Sequence, residues 1–154
     1  MESAAEIEFA DVMVRFPTDP GSGRVGMELF PSALRGRLVP RRGSLRGLPF
    51  IDALPGDDPW PAAVVESLAQ VKIVGAPYPG AFAQGHTMRS SPSANGFRFA
   101  GRRTETMRDR TAVVTTLRDG RRHRLEHRLS WHAGDAAAAV MTTFHNDSTA
   151  PVTL

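Results

Sequence analysis

The sequence predicts an all-β protein built as an antiparallel β-sandwich, and three observations carry that prediction. From Arg124 to Trp131 apolar and polar side chains alternate with a strict period of two, the pattern of a strand with one buried and one wet face, and before it Arg110 to Arg118 sets Ala112 and Val114 against Val113 and Leu117. Between the two runs stands Asp119-Gly120, a dipeptide suited to the positive φ values of a tight hairpin. Elsewhere Gly, Pro, Asn and Asp punctuate short apolar runs, and no stretch sustains a helical period. Antiparallel strands that each have an apolar face to cover close most simply as a sandwich.

Taken in order, Glu6 to Phe16 reads as a first strand. Ile7 and Phe9 lie on one parity and Val12, Val14 and Phe16 on the other, so a bulge is expected near Ala10. The turn cluster Pro17 to Gly23 ends it, and Val25, Met27 and Leu29 then alternate with Gly26, Glu28 and Phe30 as a short second strand. From Pro31 to Pro61 no regular period persists. An excursion of that length is uncommon in a compact domain and is usually functional or docked onto something else. Val64 to Val74 is rich in β-branched residues and bounded by Pro61 and by Gly75, Pro77 and Pro79, which marks a buried strand followed by a turn-rich loop.

The second half is more regular. Phe97 and Phe99 alternate with Arg98 and Ala100, opening a strand expected to run on through Thr104 and Met107. Arg110 to Arg118 follows, then the hairpin. In the return strand Leu125, His127, Leu129 and Trp131 share one face, and Arg124, Glu126, Arg128 and Ser130 the other. Gly134-Asp135 turns the chain into a strand from Ala137 to His145, whose Val140 to Phe144 run needs a second sheet to cover it. After Asn146-Asp147-Ser148, the ending Pro151 to Leu154 looks like a strand just starting, so the sandwich is expected to be incomplete.

The composition narrows the class. A chain of 154 residues with 41% hydrophobic and 23% charged residues is one ordinary globular domain. Apolar runs such as Ala136 to Met141 are too short to span a bilayer. The amino terminus carries Glu2 and Glu6 where a secretory signal has basic residues. With no cysteine, disulfides, thiolate metal sites and cysteine nucleophiles are excluded together, and a cytoplasmic setting is the simplest fit. The net charge of +3 comes from arginine, Lys72 being the only lysine. Arg41-Arg42, Arg102-Arg103 and Arg121-Arg122 read as solvated turns and strand faces, because a nucleic-acid surface would interleave aromatics for stacking.

Candidate chemistry concentrates in two places. Asp57 and Asp58 sit between Gly56 and Pro59-Trp60, which is either an ordinary turn or an exposed loop tip with an aromatic able to stack on a sugar face. Adjacent in sequence, the two carboxylates cannot oppose each other across a substrate as glycoside hydrolysis requires. The loop after Val74 carries Tyr78, Phe82, His86 and Arg89, of which Tyr78, His86 and Arg89 are candidate ligand contacts. His123 and His127 share a strand face roughly 13 Å apart, too far to share a metal ion. His127, among Leu125, Leu129 and Trp131, reads as a hydrogen-bonded core histidine. Gly-x-Ser-x-Gly, phosphate-loop and His-Glu-x-x-His motifs are absent.

Two segments resemble a known family. VKIVGAPYPGAFAQGHTMRSS, with Tyr78-Pro79-Gly80 and Thr87-Met88-Arg89, and the closing LEHRLSWHAGDAAAAVMTTFHNDSTAPVTL, with Pro151 to Leu154, are similar to the amino-terminal region of α-galactosidase-type enzymes of glycoside hydrolase family 36. The likeness covers the second half of the chain well and Met1 to Leu48 only loosely. It implies a β-supersandwich akin to that of aldose epimerases, here partial, preceding a (β/α)8 barrel. It also implies retaining hydrolysis of α-galactosides without metal or organic cofactor, the nucleophile being an aspartate in a Lys-x-Asp motif of the barrel. Lys72 is followed by Ile73 and Val74 and fails that motif, so residues 1–154 are expected to be a non-catalytic sandwich domain, inactive alone. Its expected partners are α-galactoside sugars through the parent enzyme, its own barrel and a second subunit, with no nucleic acid or membrane. Asp57, Asp58, Trp60, Tyr78, His86 and Arg89 are the residues expected to reach the sugar pocket. Two further readings are a stand-alone carbohydrate-binding or interaction module and an epimerase-like sugar enzyme.

Overall fold

A computed structural model of the chain describes residues 5–35, 67–75 and 92–154, which form two antiparallel sheets packed face to face. The smaller has the order β1 (Ala5–Phe9), β2 (Val12–Phe16), β3 (Glu28–Pro31). Glu6 to Phe16 is therefore a hairpin and not one bulged strand. Ala10 takes a positive φ of 50° in its two-residue turn, a conformation that the sequence advertises with neither Gly nor Asn. The reversal explains the parity switch: Ile7 pairs with Val14 and Phe9 with Val12, so residues of opposite parity share one face. In β3 the expected face is also shifted. Phe30, paired with Met13 under the Arg15 guanidinium, is buried, and Leu29 is 58% exposed.

The larger sheet runs β4 (Arg98–Met107), β5 (Arg110–Arg118), β6 (His123–His132), β7 (Ala139–Asn146) in spatial order. As the alternation predicts, β5 and β6 are one antiparallel hairpin, with Val113 opposite Leu129 and Leu117 opposite Leu125. These four side chains meet Phe9, Val14 and Phe16 of the small sheet to make the core, and Trp131 stacks on Phe9 at 5.1 Å. On the outer face Val114 and Ala112 are also buried. Charged side chains cross-link that face: Arg128 reaches Glu105 at 2.8 Å, Arg103 reaches Glu105 at 2.9 Å, and Arg124 bridges Glu126 at 2.8 Å and Asp147 at 3.2 Å. The hydrogen bonds from Arg128 and Arg103 hold the Glu105 carboxyl below its ordinary pKa. Strand β7 is an edge, and Val140 and Met141 are more than half exposed there.

The tip of the β5–β6 hairpin is longer than an Asp-Gly turn. The positive φ falls on Arg122, at 67°, and not on Gly120, around which a Cβ would meet nothing within 4 Å. Gly120→Ala is accordingly expected to stabilise the chain by about 0.4–1 kcal/mol through lost unfolded-state freedom. A urea denaturation midpoint that falls in this variant would restore the two-residue turn.

Two further expectations are corrected. The described part of the expected Val64–Val74 strand buries Ala69, Val71 and Ile73 alternately but pairs with no strand. Three of its backbone donors go to separate places: Leu68 N to Val25 O at 3.0 Å, Ile73 N to Ser93 Oγ at 3.1 Å, and Val74 N to Thr153 O at 2.9 Å. The ending Pro151 to Leu154 likewise forms no strand. A short helix α1 (Pro92–Gly96) and a 3-10 turn (Ser32–Leu34) interrupt the β meander. Pro92 opens α1, where its missing N–H costs nothing. Among the described residues no helix is long and apolar enough to cross a membrane.

Candidate functional site

Asp57, Asp58 and Trp60 fall within 36–66, and Tyr78, His86 and Arg89 within 76–91, so all six expected contacts lie outside the described residues. The structure does place the two flanks of 76–91. Ile73 before it and Ser93 just after it are joined by the Ile73 N to Ser93 Oγ bond. Ser93 is buried in α1, which sits beside the tip of the β5–β6 hairpin.

That tip is organised by Asp119. One carboxylate oxygen accepts the backbone N–H groups of Arg121 at 2.9 Å and His123 at 2.8 Å, and the other lies 2.7 Å from His123 Nδ1. Both side chains are buried, and the His123 ring packs on Phe144 at 5.4 Å. Such a carboxylate does the work of an Asx turn, replacing backbone partners that the reversing chain has lost.

Between this tip and α1 lies a cavity of about 220 Å³ lined by Ile73, Pro92, Ser93, Gly96, Asp119, Gly120 and Arg121. It is smaller than the roughly 300–1,000 Å³ of drug-sized sites, so a single ring or small polar group suits it better than an oligosaccharide. Arg121 and Ser93 supply polar atoms at the wall, and Asp119, the one carboxylate among the described lining residues, already accepts three hydrogen bonds. A glycosidase centre needs two carboxyl groups facing one bond, and the described lining residues supply one. In the sequence Asp119-Gly120 reads as a turn alone; the cavity it shares with Ser93 arises only in the tertiary fold.

His127 departs from expectation in one respect. It is buried as its parity requires, at 2% exposure, yet its Nδ1 has no hydrogen-bond partner. Burial lowers its pKa from the ordinary value, outweighing a contact with its own backbone that raises it, and the charge of Arg102 adds a smaller lowering. Among the described residues no group of three or more His, Asp or Glu side chains could hold a metal ion. Comparison of the chain with family models, curated proteins and solved structures returned no match.

Proposed function

We propose that this chain is the amino-terminal, non-catalytic β-supersandwich region of an α-galactosidase-type retaining glycosidase, similar to glycoside hydrolase family 36, that packs on a catalytic barrel and helps shape its sugar pocket. One observation carries the reading. The two sequence segments that bear the family likeness meet in space, where Val74 N of VKIVG donates to Thr153 O of PVTL at 2.9 Å. The facing antiparallel sheets and the small cavity beside the flanks of the Tyr-Pro-Gly and Thr-Met-Arg segment support the same reading. Both catalytic aspartates belong to the barrel in this scheme. The sandwich contributes shape, loop contacts and a packing surface.

The test uses an antibody against this sequence to isolate the polypeptide that carries it in its natural source. That polypeptide is expected to exceed 16.7 kDa and to hydrolyse aryl α-galactosides, whereas the 154-residue chain alone shows no turnover above background. A natural polypeptide of the chain's own mass that binds sugars without cleaving them would replace this reading with the stand-alone binding module. Turnover by the short chain that disappears on Asp57→Asn or Asp58→Asn would overturn it outright.

A further inference from the structure

The inner face of the large sheet carries a polar row where the sandwich should be apolar. Arg102 of β4 pairs with Thr115 of β5, which pairs with His127 of β6, so the three side chains point into the same interlayer space. Thr115 is fully buried and His127 nearly so. The Arg102 guanidinium is fixed from three sides. Its Nε donates to Thr115 Oγ1 at 3.0 Å, and its Cζ stands 4.1 Å from the Phe16 ring centre and 5.2 Å from that of Phe99. Yet its buried Nη2 has no hydrogen-bond partner, and neither has Nδ1 of His127.

The outer face shows how this chain treats an arginine on a strand. Arg103, Arg124 and Arg128 each reach a carboxylate within 3.2 Å. Arg102 faces none among the described residues, and Phe16, the small-sheet side chain it lies over, is apolar. Two aromatic faces compensate a cation only in part. A partly buried guanidinium without a counter-ion among the described residues, on the same cross-strand row as a second unpartnered ring nitrogen two strands away, is an arrangement that an anion completes.

We propose that Arg102, Thr115 and His127 form a binding site for a small oxyanion, a carboxylate or phosphate group, held between Arg102 Nη2 and His127 Nδ1. Cation–π contact fixes the guanidinium plane before the ligand arrives, so little side-chain entropy is lost on binding. This site stands apart from the α-galactosidase reading and does not depend on it.

The histidine-labelled 154-residue chain, titrated with inorganic phosphate and separately with acetate, tests the site by NMR. The His127 ring signals and the Thr115 amide are expected to shift and saturate, with exposed His132 unmoved, and the His127 pKa is expected to rise in the saturated state as the anion favours its charged form. Arg102→Gln should weaken binding roughly tenfold or more, the worth of one charge-assisted hydrogen bond, with Arg102→Lys retaining part of it. Saturation by acetate or phosphate alone identifies which oxyanion the site takes. Shifts that never saturate, that appear equally at His132, or that persist unchanged in Arg102→Gln would overturn the proposal as general ionic screening. Should Arg102→Gln fail to fold, the wild-type titration decides by its saturation and its selectivity for His127 over His132.

Discussion

Phe16→Ala is expected to cost about 3–5 kcal/mol, the usual range for truncating a buried aromatic in a close-packed core. Phe16 is 1% exposed at the end of β2 and belongs to the cluster that joins both sheets. Its loss opens a void between the layers and also removes the ring over which Arg102 is held at 4.1 Å. Two terms therefore add: the transfer and cavity cost of the ring, and the desolvated guanidinium left without its aromatic face. Phe16→Leu separates them, because it keeps most of the volume while discarding the π face. It should cost roughly 1–2 kcal/mol, with most of that abolished when Arg102 is already Gln. Chemical denaturation of the wild type, Phe16→Ala, Phe16→Leu, Arg102→Gln and the Phe16→Leu/Arg102→Gln double variant measures both. A Phe16→Ala cost below about 1 kcal/mol would mean that the two sheets do not meet over this side chain.

The elements that were legible in the sequence are those whose own side chains encode the partner. In β6, period-two alternation marks the buried parity, and with it the inward aim of Trp131, whereas the register that sets Val113 opposite Leu129 follows from the longer tip that Asp119-Gly120 does not announce. The β1–β2 hairpin was not legible because Ala10, unlike Gly or Asn, does not announce a positive φ. Residues 67–75 alternate like a strand and are buried like one, but strand identity depends on a hydrogen-bonding neighbour that no local pattern specifies. The candidate contacts drawn from the family likeness lie outside the described residues, so the site that the structure does show was found from tertiary geometry.

Arg102-Arg103 shows what a stricter use of parity would have found. Adjacent residues of a strand face opposite sides, so a pair of arginines inside a predicted strand points one of the two toward the interlayer side. Arg103 faces outward to Glu105 at 2.9 Å, and Arg102 faces inward to Thr115. His127 carried the matching signal: a polar residue in the apolar register of β6, two strands away on the same row. Read together, the two exceptions to the binary pattern mark one place in the fold, and local rules tend to be broken where function requires it.

Asp119→Ala is expected to cost roughly 3 kcal/mol, because it removes the acceptor for three hydrogen bonds at once. The donors left behind are the backbone N–H groups of Arg121 and His123 and the ring Nδ1 of His123. Arg121 N is exposed and turns to water; the His123 donors are buried, and a buried donor without a partner costs about 1–3 kcal/mol. Asp119→Asn separates the contributions. Its amide oxygen can keep the two backbone donors, and its NH2 can donate to a His123 Nδ1 that has moved its proton to Nε2, so the cost should fall to roughly 1 kcal/mol. The consequence is not confined to stability, since Asp119 and Gly120 form one wall of the cavity that Ser93 and Ile73 face from the other side. In Asp119→Ala the amides of Gly120, Arg121 and Ser93 should exchange with solvent faster than those of Val113 and Leu129, which stay in the core. Equal stability of all three proteins, or loss of protection spread evenly over the β5–β6 hairpin, would show that Asp119 does not organise the tip.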